Sequence, residues 1–189
     1  MAKMPREMKA EAISQSRADG NVKVVWAKMP MYGFVYEHIR MCIEAANADP
    51  TVSAILLDMD TPGGYTSECA ETAETIRASK KPVIAYVAGE ACSAGYWLAA
   101  ACHKIVAHRS AFVGSIGTYC YIQGDDDEVI VVSSLSPDKI PNPQDEQSIA
   151  KVRAHLDEMT LMFVDDLAKY RGVAAEKILN DWGRGDIVK

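Results

Sequence analysis

The chain has 189 residues, 49% of them hydrophobic and 24% charged, an ordinary composition for one globular domain with a core of its own. Its net charge of −6 argues against a nucleic-acid binder that works by neutralising phosphates and against a basic membrane-surface protein. Five cysteines, Cys42, Cys69, Cys92, Cys102 and Cys120, are odd in number and nowhere spaced as CxxC, so they read as buried reduced thiols rather than a disulfide framework or a zinc site.

In chain order, residues 1–20 read as a polar arm, helical or disordered, without the apolar core of a signal peptide or membrane anchor. Asn21–Ala27 is strand-like, with Val22, Val24 and Trp26 on one face. Residues 33–48 set Tyr36, Ile39, Ile43 and Ala46 at helical spacing, and Asp49-Pro50 ends that helix. Val52–Met59 and Pro82–Ala88 are apolar runs that suit parallel strands buried on both faces. Asp60–Gly64 is a sharp turn before a helix over about 65–78, and Gly89–Cys92 turns into a small-residue helix over Ser93–Cys102. Short strands follow at Lys104–Ala107, Ala111–Ile116, Tyr119–Ile122 and Val129–Ser133, the last two around the acidic turn Gly124–Glu128, which reads as a solvated hairpin. After a proline-containing loop over 134–143, a long amphipathic helix spans about 144–170, with Ile149, Val152, Leu156, Met159, Phe163, Leu167 and Tyr170 as its stripe. Gly172 breaks it, and a last helix covers about 174–182. The division is a polar arm 1–20, an α/β core 21–143 and a C-terminal helical segment 144–189. Alternating strands and helices give an α/β fold with a largely parallel sheet.

Parallel sheets form sites where strands turn into helices. Two such turns here have unusual chemistry. Ser93 stands where a buried strand passes into a helix of Ala, Gly and Leu, where backbone N–H groups and the helix dipole favour negative charge. Taken alone, a serine there is more simply a helix cap. At the other turn, the paired glycines Gly63 and Gly64 offer an unobstructed backbone N–H, and with the N–H of Ala94 they make a two-donor oxyanion hole; alone, this is simply a proline–glycine turn.

The runs VSAILLDMDTPGG, KPVIAYVAGEACSAGYWLAAACHKIVA and FVGSIG together resemble the signal-peptide-peptidase-A family of serine peptidases, which includes membrane-bound signal peptide peptidases and soluble phage capsid proteases. The family patterns D-[ST]-P-G-G, A-S-G-G-Y and G-S-I-G fall on Asp60–Gly64, Cys92–Tyr96 and Gly114–Gly117, with Ala94 replacing the first glycine after the serine. The resemblance implies a ClpP/crotonase-like fold, Ser93 as nucleophile, and an oxyanion held by the N–H groups of Gly64 and Ala94, with Gly63, Gly95 and Gly114 facing substrate. It implies a lysine as general base, and Lys139, in Ser136–Pro143, matches the family segment G-x-x-K-x-x-x-N-P one residue tighter. None of the four histidines falls near Gly117–Thr118, where a ClpP-type histidine would stand, and Lys80, Lys81 and Lys104 are weaker candidates for the base.

The expected activity is that of a serine endopeptidase acting on polypeptide by a Ser–Lys dyad, without metal or other cofactor. Its expected setting is phage or prophage head maturation, in the host cytoplasm or the prohead, as a homo-oligomer with shared sites and no membrane anchor or nucleic-acid partner. The alternatives are a signal peptide peptidase, a crotonase-type acyl-CoA hydratase or isomerase using Glu90, and an inactive capsid assembly protein.

Overall fold

A computed structural model of the chain describes residues 17–120 and 140–188. Within them a seven-stranded sheet runs β1 (Arg17–Asp19), β2 (Val22–Ala27), β3 (Ala54–Thr61), β4 (Val83–Cys92), β6 (Phe112–Gly114), β7 (Ile187–Val188), with β5 (Lys104–Ala107) also on β4. The interior pairings, β2 to β3 to β4 and on to β5 and β6, are parallel, and the outer strands β1 and β7 are antiparallel. The helices are α1 (Gly33–Ala48), α2 (Cys69–Arg77), α3 (Ala94–Ala101), α4 (Glu146–Arg171) and α5 (Ala175–Asp181). This is the α/β, ClpP/crotonase-like architecture expected.

The core lies between one sheet face and the helices. Val25, Ala27, Ile55, Leu57, Met59, Val83, Ala85 and Val87 point into it, meeting Tyr36, Ile39 and Ile43 of α1 and Ile76 of α2. α3 is buried almost all round, as its Ala, Gly, Trp and Leu composition requires. α4 then packs over α3: the rings of Trp97 and Phe163 stack 4.5 Å apart at 6°, and Trp97 Nε1 donates to Asp166 Oδ2 at 2.9 Å. Asp145 caps α4 by accepting from the N–H groups of Gln147 and Ser148, and Gly172, at φ 64, closes its far end.

Several boundaries differ from expectation for identifiable reasons. Residues 17–19, assigned to the polar arm, pair with β2 across a two-residue turn in which Gly20 takes φ 61. Val22, Val24 and Trp26 share one face of β2, as expected, and the face in the core cluster is the other, Val25 and Ala27. β3 and β4 were expected to be buried on both faces, yet they alternate between buried and half-buried positions, with the helices against one face. β4 does not turn at Gly89 but runs on to Cys92, because Glu90–Cys92 find a new neighbour in β6 after β5 has ended. α2 starts only at Cys69, since the backbone of Tyr65 is held by Met31 instead. β7 returns the segment 144–189 to the sheet. In the N-terminal half of α4, Ile149, Val152, Leu156 and Met159 are only half-buried, so that stripe is not fully covered. The Val129–Ser133 strand, the acidic turn and the second half of Tyr119–Ile122 lie outside the described residues, and Tyr119 and Cys120 are not in a strand. No described helix is long and apolar enough to cross a membrane.

Phe163→Ala is expected to lower the free energy of unfolding by about 3–5 kcal/mol, the usual cost of removing a buried aromatic ring. Urea titration followed by circular dichroism measures this, and a loss below about 1 kcal/mol would contradict the docking of α4 on α3.

Candidate active site

The site is assembled at the carboxyl ends of β2, β3, β4 and β6. At the end of β3 the register with β4 shifts between Met59 and Thr61, and the pairing resumes at Thr61 with Ala91. Asp60 occupies this irregularity and accepts the N–H of Glu90 at 3.1 Å; a side chain on Gly89 would strike its carboxylate. Thr61 is fully buried and does three things. Its hydroxyl donates to Met29 O at 2.7 Å, accepts the N–H of Gly63 at 3.2 Å, and its methyl group fills the space beside Gly95.

Ser93 follows β4 and precedes α3 with φ 52 and ψ −124, a conformation uncommon outside glycine that costs about 1–3 kcal/mol. It is held there by its own N–H, which donates to Gly114 O at 2.8 Å, and by its carbonyl, which accepts from Trp97 N at 3.0 Å. Its hydroxyl bonds none of the N–H groups of α3, so Ser93 is not a cap in the sense that a helix-start serine usually is. The side chain is half-buried and faces a cleft of about 820 Å³.

Gly63 has φ 101 and lies so close that a Cβ on it would sit 2.7 Å from both Ser93 Cβ and Cys92 O, and 3.0 Å from Ala94 N. Only glycine fits on both counts. The same contact brings the Gly63–Gly64 backbone beside the start of α3. Gly64 approaches Met31 too closely for a side chain, while Met31 N donates to Gly63 O at 2.8 Å and Tyr65 N to Met31 O at 2.9 Å. Among the described residues, neither the N–H of Gly64 nor that of Ala94 has a hydrogen-bond partner, and the two flank the position of Ser93.

The residues singled out from the sequence therefore divide. Ser93, Gly63 and Gly64 line the cleft, and Ala94 follows directly. Gly95 is not among the described residues lining the cleft: a Cβ on it would meet Thr61, so its missing side chain serves the packing of α3 against β3. Gly114 also stays out of the cleft, lying against Asp186 and Val188, and acts instead by holding the backbone of Ser93. Lys139 lies outside the described residues. Lys80, Lys81 and Lys104 sit where β4 and β5 begin, at the opposite edge of the sheet from Ser93. No histidine lines the cleft; His103, for example, accepts the N–H of Val83 through Nδ1 at that same far edge. Glu90 is outside the cleft as well. No group of three His, Cys, Asp or Glu side chains converges among the described residues.

Sequence reasoning missed Thr61, Ser115 and Thr118. Ser115 takes φ 54 at the cleft and donates its N–H to Asp186 O at 2.9 Å. Thr118 ties the cleft wall to α4 by donating its hydroxyl to Leu156 O at 2.8 Å and its N–H to Thr160 Oγ1 at 3.1 Å. The D-[ST]-P-G-G pattern marked Thr61 only as a turn residue, and the buried bonds of the other two depend on contacts far along the chain.

Known proteins resemble this chain in sequence and in fold. Residues 21–128 match the family model described as NfeD1b, N-terminal domain. The chain is 30% identical over 158 residues to the head-tail preconnector protein GP5 of Enterobacteria phage P21, covering 76% of this chain and 31% of that protein. It is 29% identical over 158 residues to the capsid assembly protease C of Escherichia phage lambda, covering 77% and 36%. It is 41% identical over 81 residues to Protease 4 of Salmonella typhi, covering 41% and 13%. The chain thus spans about a third or less of the length of these relatives. Among solved structures, an enoyl-CoA hydratase from Polaromonas sp. JS666 superposes with a TM-score of 0.50 at 21% identity, over 52% of this chain and 49% of that one, a likeness of fold.

The thiols near the site differ in reactivity by burial. Burial pushes Cys69 and Cys102 up to about 12, and it also raises Cys92, whose thiol is buried beside Ser93 with Glu90 adding to the effect. Since the thiolate is the reactive form, these three should stay protonated and inert at pH 8, whereas exposed Cys120 should be alkylated first. Iodoacetamide labelling of the native protein, mapped by mass spectrometry, checks this; early labelling of Cys92 would contradict it.

Proposed function

We propose, from the premise that the chain belongs to the family described by the NfeD1b N-terminal domain and to the signal-peptide-peptidase-A peptidases that include the phage capsid assembly proteases, that it is a serine endopeptidase with Ser93 as nucleophile and Lys139 as general base. The observation that carries the reading is Ser93 itself: a serine in a strained conformation, free of capping duty, lining a cleft and beside two backbone N–H groups that have no partner among the described residues. Strain of this kind persists where the surroundings over-determine it, and it aims the side chain.

In this mechanism Ser93 Oγ attacks the scissile carbonyl carbon while neutral Lys139 Nζ takes the hydroxyl proton. The carbonyl oxygen becomes an oxyanion that accepts from Gly64 N–H and Ala94 N–H, fixed donors that need no reorganisation. Collapse breaks the C–N bond, and Lys139 gives its proton to the leaving amine. A water then repeats the sequence on the acyl-enzyme, with Lys139 again as base, and frees Ser93. The absence of a histidine from the cleft favours a lysine base among the described geometry, and a lysine serves only if its surroundings lower its pKa.

The head-maturation setting, with action on capsid-associated polypeptide in the host cytoplasm or prohead, is supported by the likeness to the lambda capsid assembly protease. The acyl-CoA reading is less well supported, because Glu90, the carboxylate it would use, stands outside the cleft. A homo-oligomer is supported by the half-covered stripe of α4, whose exposed neighbours include Leu161 and Met162.

Ser93→Ala and Lys139→Ala should each lower kcat on an unfolded protein substrate by at least about a thousandfold with folding intact. The rate of the wild type should rise with pH through an apparent pKa well below the lysine value of about 10.4. Full turnover by either variant would remove that residue from the mechanism. If sites are shared between subunits, mixing the two inactive variants should restore part of the activity, and light scattering should show an oligomer; a fully active monomer at every dilution would contradict that arrangement.

A further inference from the structure

The cleft around Ser93 has two sides set by strand order. The segments that follow β2 and β3 form one wall, and the segment that follows β6 forms the other, with Ser93 at the end of β4 between them. Among the described residues, none of the side chains lining this cleft is charged. On the first wall stand Tyr32 and Tyr65, 40% and 57% exposed, with ring centroids 5.6 Å apart and planes tilted by 56°. Phe34 extends the cluster, its ring 6.0 Å from that of Tyr32 and stacked on it.

These rings are exposed, but their backbones are pinned. Met31 donates to Gly63 O and accepts from Tyr65 N, so the segments bearing Tyr32 and Tyr65 are joined directly beside Gly64. The buried Tyr36 hydroxyl donates to Tyr65 O at 2.6 Å, and burial raises its pKa, so it stays a donor. Tyr32 in addition precedes α1, where its carbonyl accepts from Val35 N at 2.9 Å. Two large amphipathic rings are thus displayed at fixed positions beside the proposed oxyanion donor. Neither belongs to the buried core cluster, and rigid tyrosines bind with little loss of side-chain entropy.

We infer that Tyr32 and Tyr65 form a subsite that receives a bulky apolar side chain of the polypeptide, aromatic for preference, close to the scissile bond. This deepens the peptidase reading and rests on it for the word scissile. Aromatic pairing gives the preference for a ring, in edge-to-face or offset contact. Neither ring carries a charge to pair with a Glu or Lys at the same place, so such a side chain would lose water there without an ion-pair partner from Tyr32 or Tyr65.

The test uses the full chain carrying Ser93→Ala, so that binding is read without turnover. Fluorescent peptides in which one residue is scanned through every position as Phe, Leu, Ala, Glu or Lys are titrated by anisotropy. At one position Phe should bind roughly tenfold more tightly than Ala, with Glu and Lys weakest. Adding Tyr32→Ala or Tyr65→Ala should bring the Phe-to-Ala ratio toward one, whereas Tyr65→Phe should keep it, because the ring and not the hydroxyl is used. Circular dichroism of each variant checks folding. No binding at all, equal binding of Phe and Ala peptides at every position, or a ratio that survives both alanine substitutions, would overturn the subsite. Cleavage of the same peptides by the wild type is scored separately. An aromatic preference in binding without any cleavage would sink the peptidase reading and leave the subsite standing.

Discussion

The structure turns on one backbone junction. β4 must stop and α3 must begin within a single residue, and that residue is a serine at φ 52 rather than a glycine. A strain of about 1–3 kcal/mol is sustained only because both flanks are fixed. On one side Ala91 and Cys92 are paired to β6, and Ala91 also to Thr61 of β3. On the other, α3 is buried on nearly every face and clamped by the Trp97–Phe163 stack. The junction cannot relax without unpairing the sheet or lifting the helix.

The same fixation builds the rest of the site. Gly63 can lie against Ser93 because it lacks a Cβ, and Thr61 holds it there while also reaching Met29 beyond the end of β2. Three strand ends are thereby locked into one constellation by a single buried threonine. Chemistry that needs fixed donors at a developing charge is served by such an arrangement, since little reorganisation remains at the moment of reaction.

Much of this was legible in the sequence because it is local. The spacing of Tyr36, Ile39 and Ile43 gave α1 its bounds, Asp49-Pro50 its end, and the apolar runs gave the parallel strands. The motifs around Gly63, Gly64 and Ser93 located the cleft. What was not legible depends on pairing at a distance. That β4 continues past Gly89 is decided by β6, whose partner residues lie some twenty positions later, and the bulge of β4 opposite Asp60 is visible only once Gly89 lies against that carboxylate. β1 and β7 are too short to show a period and exist because an edge was open to them. The face of β2 was ambiguous because Val24 and Val25 are both apolar, and only the docking of α1 chooses between them. The motif could not show that Gly95 packs against Thr61 and Gly114 against Asp186, away from the described lining of the cleft.

The central claim is that Ser93 becomes covalently acylated. The most direct measurement is acid quenching of the wild-type chain during turnover of an activated peptide ester, followed by tryptic mapping and tandem mass spectrometry. The account predicts one acyl group, on Ser93 Oγ. An acyl group on Ser115, Thr118 or a cysteine instead, or hydrolysis that leaves no acyl group on the protein, would contradict it.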